Sequence, residues 1–211
     1  MLNPPFCFGQ ILVRNPGKSF VLCHRADAAN DDLKIFRNPE DAIEIAKYDD
    51  VGNYRALKTA PNLRHGWRME LQTRQELRRA LDYFYPGRLA VFGEWQHNHL
   101  RTTSLRETLN RQSGMYRVAA RISEAQIDDL VADFCRSNGR CLRTILWKRD
   151  KQGAIASNQL PDKKFDPSFD QTEVVAKAES PTAIASPAVP LLCQEACNLL
   201  VAACRKVVKS E

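Results

Sequence analysis

With 211 residues, 44% of them hydrophobic, the chain is long enough to bury a substantial core without disulfide staples. No apolar run approaches the roughly 18 residues of a membrane span, and MLNPPFCFGQ, broken by two prolines, does not read as a leader, so no membrane attachment and a cytoplasmic location are expected. The net charge of +6 suggests an acidic partner, and seven cysteines, odd in number and unevenly spaced, read as thiols or metal ligands rather than a disulfide framework.

The first elements are a hairpin and a helix. Ile11-Leu12-Val13 and Phe20-Val21-Leu22 flank Asn15-Pro16-Gly17-Lys18, whose Pro and Gly supply turn geometry. Asn38-Pro39-Glu40-Asp41 offers a cap, a proline at the first helical position and acid in the first turn, predicting a helix to about Tyr48. Trp67 to Leu71 alternates like a half-buried strand, and Thr73 with Glu76 forms a capping box for a helix that stops at Pro86-Gly87. Leu89 to Phe92 reads as a further strand.

Ser104 with Glu107 repeats the capping box, Met115 to Ile122 is strand-like, and Ser123 with Gln126 opens a third boxed helix. That helix places Ile127, Leu130, Val131, Phe134 and Cys135 on one face, ends at Asn138-Gly139 and hands over to a strand from Cys141 to Trp147. From about 150 to 190 the texture turns to Lys, Asp, Ser, Ala and Pro with little periodicity, a flexible insertion. A last helical pattern with acid early and base late follows Pro190 and carries Cys193 and Cys197. Together these elements predict an α+β fold, a mainly antiparallel sheet with packed helices, divided into a region 1–122 and a region 123–211.

Four cysteines stand out. On a helix, the spacing of Cys193 and Cys197 stacks two thiols within about 6 Å of axial rise, near a terminus that favours thiolate. Cys204 shares that face but lies about 10 Å beyond Cys197, so one cluster cannot use all three, and its apolar neighbours make it a core residue. The pair Cys135 and Cys141, at one end of a helix–turn–strand corner, is the other pair close in sequence. Cys7 and Cys23 sit in or beside the hairpin and read as packing. On spacing alone an iron–sulfur cluster, a zinc ion and unligated packing all stay open, because neither standard ferredoxin spacing nor the usual zinc knuckles are matched.

A resemblance narrows this. Cys141-Leu-Arg-Thr-Ile-Leu-Trp147, followed after a gap by Cys193-Gln-Glu-Ala-Cys197-Asn-Leu-Leu-Val-Ala-Ala, resembles the C-terminal [4Fe-4S]-binding domain of CbiX-like proteins, and Tyr54-Arg-Ala-Leu-Lys-Thr-Ala-Pro-Asn-Leu-Arg-His-Gly-Trp67 resembles the stabilising domain beside it. The likeness implies a [4Fe-4S] cluster held by Cys141, Cys193 and Cys197, with Cys135 as the fourth ligand. Larger family members carry an N-terminal chelatase domain for which this chain has no room, so chelatase activity is not implied.

Other signals are weaker. His97 and His99 lie on one side of Trp95-Gln96-His97-Asn98-His99 without an evident third ligand, and a solvent-facing role is the simpler reading. Arginines from Arg64 to Arg111, interleaved with Trp67, Tyr83, Phe84 and Tyr85, suit an acidic redox partner or a carboxylated tetrapyrrole, with nucleic acid disfavoured, although a solvated helix face is the commoner outcome. Glycine-rich phosphate loops, nucleophile elbows and HExxH are absent from the sequence, so the reading leans away from an enzyme. The expected function is electron transfer or redox sensing. The alternative is a binding module with a structural cluster that docks an anionic partner.

Overall fold

The structure, a computed structural model, describes residues 5–112, 114–136, 140–147 and 188–210. Most of the 150–190 insertion and the Asn138-Gly139 helix end lie outside the described residues. In chain order the elements are β1 (Phe6–Phe8), β2 (Ile11–Arg14), β3 (Phe20–His24), β4 (Lys34–Phe36), α1 (Asp41–Lys47), β5 (Trp67–Leu71), α2 (Arg74–Phe84), α3 (Arg88–Gln96), α4 (Leu105–Asn110), α5 (Glu124–Val131), β6 (Thr144–Ile145), β7 (Ala188–Val189), β8 (Leu192–Cys193) and α6 (Asn198–Lys209).

The protein is α+β. Its larger sheet runs β4-β5-β3-β2-β1-β7. The four central strands pair antiparallel, and parallel strands close both edges. The expected hairpin is the β2–β3 pair, with Leu12 opposite Cys23 and Val13 opposite Leu22. Gly9 turns β1 into β2 at a φ of +60°, and a Cβ there would lie 2.7 Å from the Tyr85 ring, so both backbone and space demand glycine. Tyr85 uses this closeness: its hydroxyl accepts the Gln10 N–H at 2.9 Å and its ring meets Phe8 edge-on.

The sheet buries one face against α1 and α2, where Phe8, Ile11, Leu22, Met69, Leu71, Leu81 and Phe84 form a first apolar core. Thr73 and Glu76 make the reciprocal capping box at the start of α2. A second core gathers α4, α5 and α6 around Leu105, Leu109, Ile127, Val131, Trp147, Leu200 and Cys204. The Ser123–Gln126 box opens α5 as expected.

Four local expectations are corrected. Leu89 to Phe92 is helical, part of α3, because Gly87 in the left-handed region (φ 71°) turns the chain after α2 and restarts a helix, and a four-residue apolar run carries no period to exclude one. Met115 to Arg121 falls in a 3-10 helix over Gly114–Arg121 and Ile122 follows it, with Ala119 and Ile122 buried three apart and Met115 exposed. Of the strand from Cys141 to Trp147 only Thr144–Ile145 pairs, since its partner β8 is two residues long.

The fourth correction concerns the C-terminal helix. It begins at Asn198, after both cysteines: Cys197 is its N-cap and Cys193 lies in β8. Leu192 and Cys193 pair in parallel with Thr144 and Ile145, so this segment is satisfied by strand hydrogen bonds rather than by a helical turn. Among the described residues no helix is long and apolar enough to cross a membrane.

Candidate metal centre

The two short strands lie at the seam between the cores. Leu142 and Leu191 belong to the first core, while Ile145, Trp147 and Cys193 belong to the second. Thr144 N–H bonds Leu191 carbonyl at 2.8 Å and Leu146 N–H bonds Cys193 carbonyl at 2.9 Å, fixing β6 against β8. Cys141 just precedes β6, Cys193 ends β8, and Cys197 caps α6 four residues later. Cys135 arrives from the other side: α5 ends at Val131 and a π turn over Ala132–Arg136 carries Phe134 and Cys135 toward the second core.

Cys193 lies in the second core with Cys135 and Cys197 packed against it, and Cys141 lies just before β6. Cys141 and Cys193 are buried, at 4% and 5% exposure, whereas Cys135 and Cys197 are half-buried. Burial raises the Cys135 thiol well above its ordinary range, and the neighbouring Cys141, Cys193 and Cys197 push it the same way. The Cys193 thiol is also raised, by burial first, against the pull of Arg143 and of the Trp147 hydrogen bond.

Polar donors surround the sulfurs. Arg143 Nε–H donates to Cys141 Sγ at 3.3 Å, Thr59 Oγ1 lies 3.4 Å from the same sulfur, and Trp147 Nε1–H donates to Cys193 Sγ at 3.3 Å. As a thiol, Cys193 also donates to the Glu195 carbonyl at 3.1 Å. Burial pulls the Arg143 guanidinium down, but Cys193, Cys141 and Cys197 together outweigh it, and its pKa rises. Arg88 donates to the Leu192 carbonyl at 2.6 Å, and its pKa is lowered, first by burial and then by Arg143, with Cys193 and Cys141 opposing. Two half-buried cations thus lie near these sulfurs, Arg88 acting with Cys141 and Cys193 and Arg143 with Cys197 as well.

Among the described residues no three His, Cys, Asp or Glu side chains converge on a single ion. Ligands of a cubane each bind a different iron and stand farther apart than ligands of one zinc. The donor set fits an anionic thiolate-bound cluster: soft ligands, N–H groups aimed at sulfur, compensating guanidinium groups, and a helix N-terminus at Cys197.

The remaining candidates fall elsewhere. Cys7 and Cys23 pack around Leu12 in the sheet, and Cys204 is fully buried in the second core. His97 and His99 lie on the surface, their rings 6.2 Å apart. The arginine-rich stretches do not form one free surface: Arg68 pairs with Glu70 at 2.7 Å, Arg79 with Glu40 at 2.8 Å, and Arg111 with Glu107. Sequence reasoning gave no role to Thr59, Arg88, Arg143 or Trp147. Three of them lie inside the stretches that carry the family resemblance, while Arg88 looked like part of a basic surface.

Comparison with known proteins divides the chain into two matched parts. A family model described as the DR2241 stabilising domain matches residues 4–99, and one described as a 4Fe-4S iron-sulfur cluster binding domain matches residues 97–206. The crystal structure of DR2241 from Deinococcus radiodurans, described as a multi-domain protein with structural similarity to chelatases and two additional novel domains, is similar at 26% identity and a TM-score of 0.72. That match covers 98% of this chain and 39% of DR2241. No curated protein matches.

Proposed function

The chain belongs to the 4Fe-4S iron-sulfur cluster binding domain family, with a DR2241 stabilising domain ahead of that domain, and from this premise we propose that Cys135, Cys141, Cys193 and Cys197 hold the cluster and that the protein passes single electrons to and from an acidic partner. When bound, the cluster supplies a one-electron couple. The chain's own residues do the rest. Arg143 and Arg88 offset the negative charge of the thiolates, and Trp147 and Thr59 orient two of them.

The observation that carries the electron-transfer reading is the uneven burial of the four sulfurs. Cys141 and Cys193 are packed inside, while Cys135 and Cys197 are half-buried, so one edge of the site approaches the surface. An electron carrier needs such an edge. A positive overall charge favours an acidic partner at that edge, and seven free thiols suit a reducing compartment such as the cytoplasm. Anaerobic redox titration followed by electron paramagnetic resonance tests the proposal. A reversible one-electron transition supports it, and a cluster that decays on reduction without reversal ends it.

A second reading has its own observation: β6 and β8 are two residues each, a weak frame for the second core. A cluster bridging π turn, strand and helix would then be a structural staple in a module that docks an anionic ligand, such as a carboxylated tetrapyrrole. Chelation with retained cooperative unfolding would count against it.

A further inference from the structure

Thr59 lies more than seventy residues from any of the four site cysteines in sequence, in the segment matched by the stabilising domain, yet it meets one of them. Its side chain is buried, with Oγ1 3.4 Å from Cys141 Sγ, and its carbonyl accepts the Leu142 N–H at 2.8 Å. The backbone bond fixes the register of the Cys141 segment against the loop. The side-chain contact then addresses the sulfur itself.

This loop contains neither a helix nor a paired strand, and a buried arginine holds it. The Arg55 guanidinium donates to the Ala46 carbonyl at 3.1 Å, to Lys58 at 2.9 Å and to Ala60 at 2.6 Å, the last two being the carbonyls on either side of Thr59. The Arg55 N–H bonds Lys47 carbonyl at 2.8 Å, tying the loop to the end of α1. Arg55 is only 3% exposed, and a guanidinium so removed from water is kept for its hydrogen-bond geometry rather than for net stability. The effect is a rigid loop that presents one hydroxyl to one sulfur.

A cysteine that binds iron does so as thiolate and has no proton to give, so Thr59 must be the donor. The geometry points to Thr59 as an outer hydrogen-bond donor to the Cys141 thiolate, positioned by Arg55, so that the N-terminal half of the chain sets the potential of the cluster held by the C-terminal half. Donation to a ligand sulfur draws off charge and favours the more negative, reduced cluster. Thr59 is a positioning and tuning residue rather than a ligand. The inference rests on the proposal that Cys141 binds the cluster.

The test compares the full chain, purified anaerobically, with Thr59→Val, Thr59→Ala and Thr59→Ser, reading iron and sulfide content, the midpoint potential and the Fe–S stretching frequencies. The valine and alanine variants are expected to keep the cluster and, at a fixed poise, to show a reduced-to-oxidised ratio about threefold to tenfold lower, a tenfold change being about 59 mV for one electron. Serine, which restores the hydroxyl, is expected to stay within about twofold of the parent. Loss of the cluster in valine and alanine but not in serine would also support the hydroxyl's role. Potentials unchanged in all three variants, a serine variant that shifts with the other two, or loss of the cluster in all three overturns it. A parent protein without iron and sulfide would instead bring down the cluster assignment itself, so the two failures are told apart before any variant is compared.

Discussion

Two buried cysteine pairs, one in each half of the molecule, differ in what surrounds their sulfur. Cys7 and Cys23 flank Leu12 on adjacent strands, with Ala28, Leu33 and Ala188 around them. Burial raises both thiols, as it does for any thiol kept in hydrocarbon. Cys141 and Cys193 are buried to the same degree, but N–H groups of Arg143 and Trp147 point at them and the Thr59 hydroxyl lies beside Cys141. Burial therefore does not separate the two pairs, whereas the polar groups beside the sulfur do.

The largest expected effect breaks this comparison if it fails. Cys141→Ser and Cys193→Ser should each lose most of the iron, the sulfide and the broad absorption near about 400 nm. Cys7→Ala and Cys23→Ala should keep all three and lose only about 1 kcal/mol of stability, the value of a small buried apolar group. Iron and sulfide assays on the four variants decide it. Metal loss on changing either sheet cysteine would mean that the wrong pair has been placed at the site.

Much of this arrangement could be read from the sequence where chemistry is local. The Thr73 and Ser123 boxes formed because a hydroxyl and a carboxylate or amide three residues apart satisfy orphan N–H groups locally, while at Ser104 only the hydroxyl half formed, accepting the Glu107 N–H. The hairpin formed because two apolar runs flank a Pro-Gly turn. Cys193 was misplaced for a physical reason: Leu191, Leu192 and Cys193 are equally apolar as strand or helix, and the choice was made by Thr144 and Leu146 offering N–H groups from fifty residues away. The proposal of these four cysteines does not depend on that choice, since it rests on where their segments pack and not on whether the carrier is a helix. Thr59 and Arg88 were invisible as site residues, because the contact of a loop or helix in one half with a strand in the other has no local signature.

A second difference between the halves is expected in their response to pH. His24, in β3, is 2% exposed and its Nδ1 accepts the Ala26 N–H at 3.1 Å, a bond that a second ring proton on Nδ1 would break. Burial first, then His65, Arg25 and Arg55, lowers its pKa to about 3 from 6.5. Between those values the unfolded chain binds a proton that the folded chain refuses, so stability is fully present above pH about 6.5 and is lost as the pH falls toward 3, at about 1.4 kcal/mol per unit. Urea unfolding of the parent at pH 7 and pH 5 should differ by about 2 kcal/mol more than in His24→Gln. Equal pH dependence in the two proteins would remove His24 as the acid-sensitive element of the first half.

The smallest expected effect sharpens the comparison by using the same residue type on both sides. Trp67 and Trp147 are both buried, and each indole donates one hydrogen bond: Trp67 Nε1–H to the Arg64 carbonyl at 2.6 Å, and Trp147 Nε1–H to Cys193 Sγ at 3.3 Å. Replacing either with Phe keeps an aromatic ring and deletes the donor, a change of about 1 kcal/mol in the bond itself. In Trp67→Phe, where stacking on Phe84 at 4.9 Å is retained, the loss should appear only as a lower melting temperature, because the acceptor is the Arg64 backbone carbonyl and not a sulfur. In Trp147→Phe the acceptor is a proposed cluster thiolate, so the midpoint potential and the Fe–S stretching frequencies should move as well. Spectroelectrochemistry on the two variants separates the outcomes: a shift confined to Trp147→Phe supports the donor to Cys193 as part of the cluster's environment, and two variants that differ from the parent only in melting temperature would reduce that donor to packing.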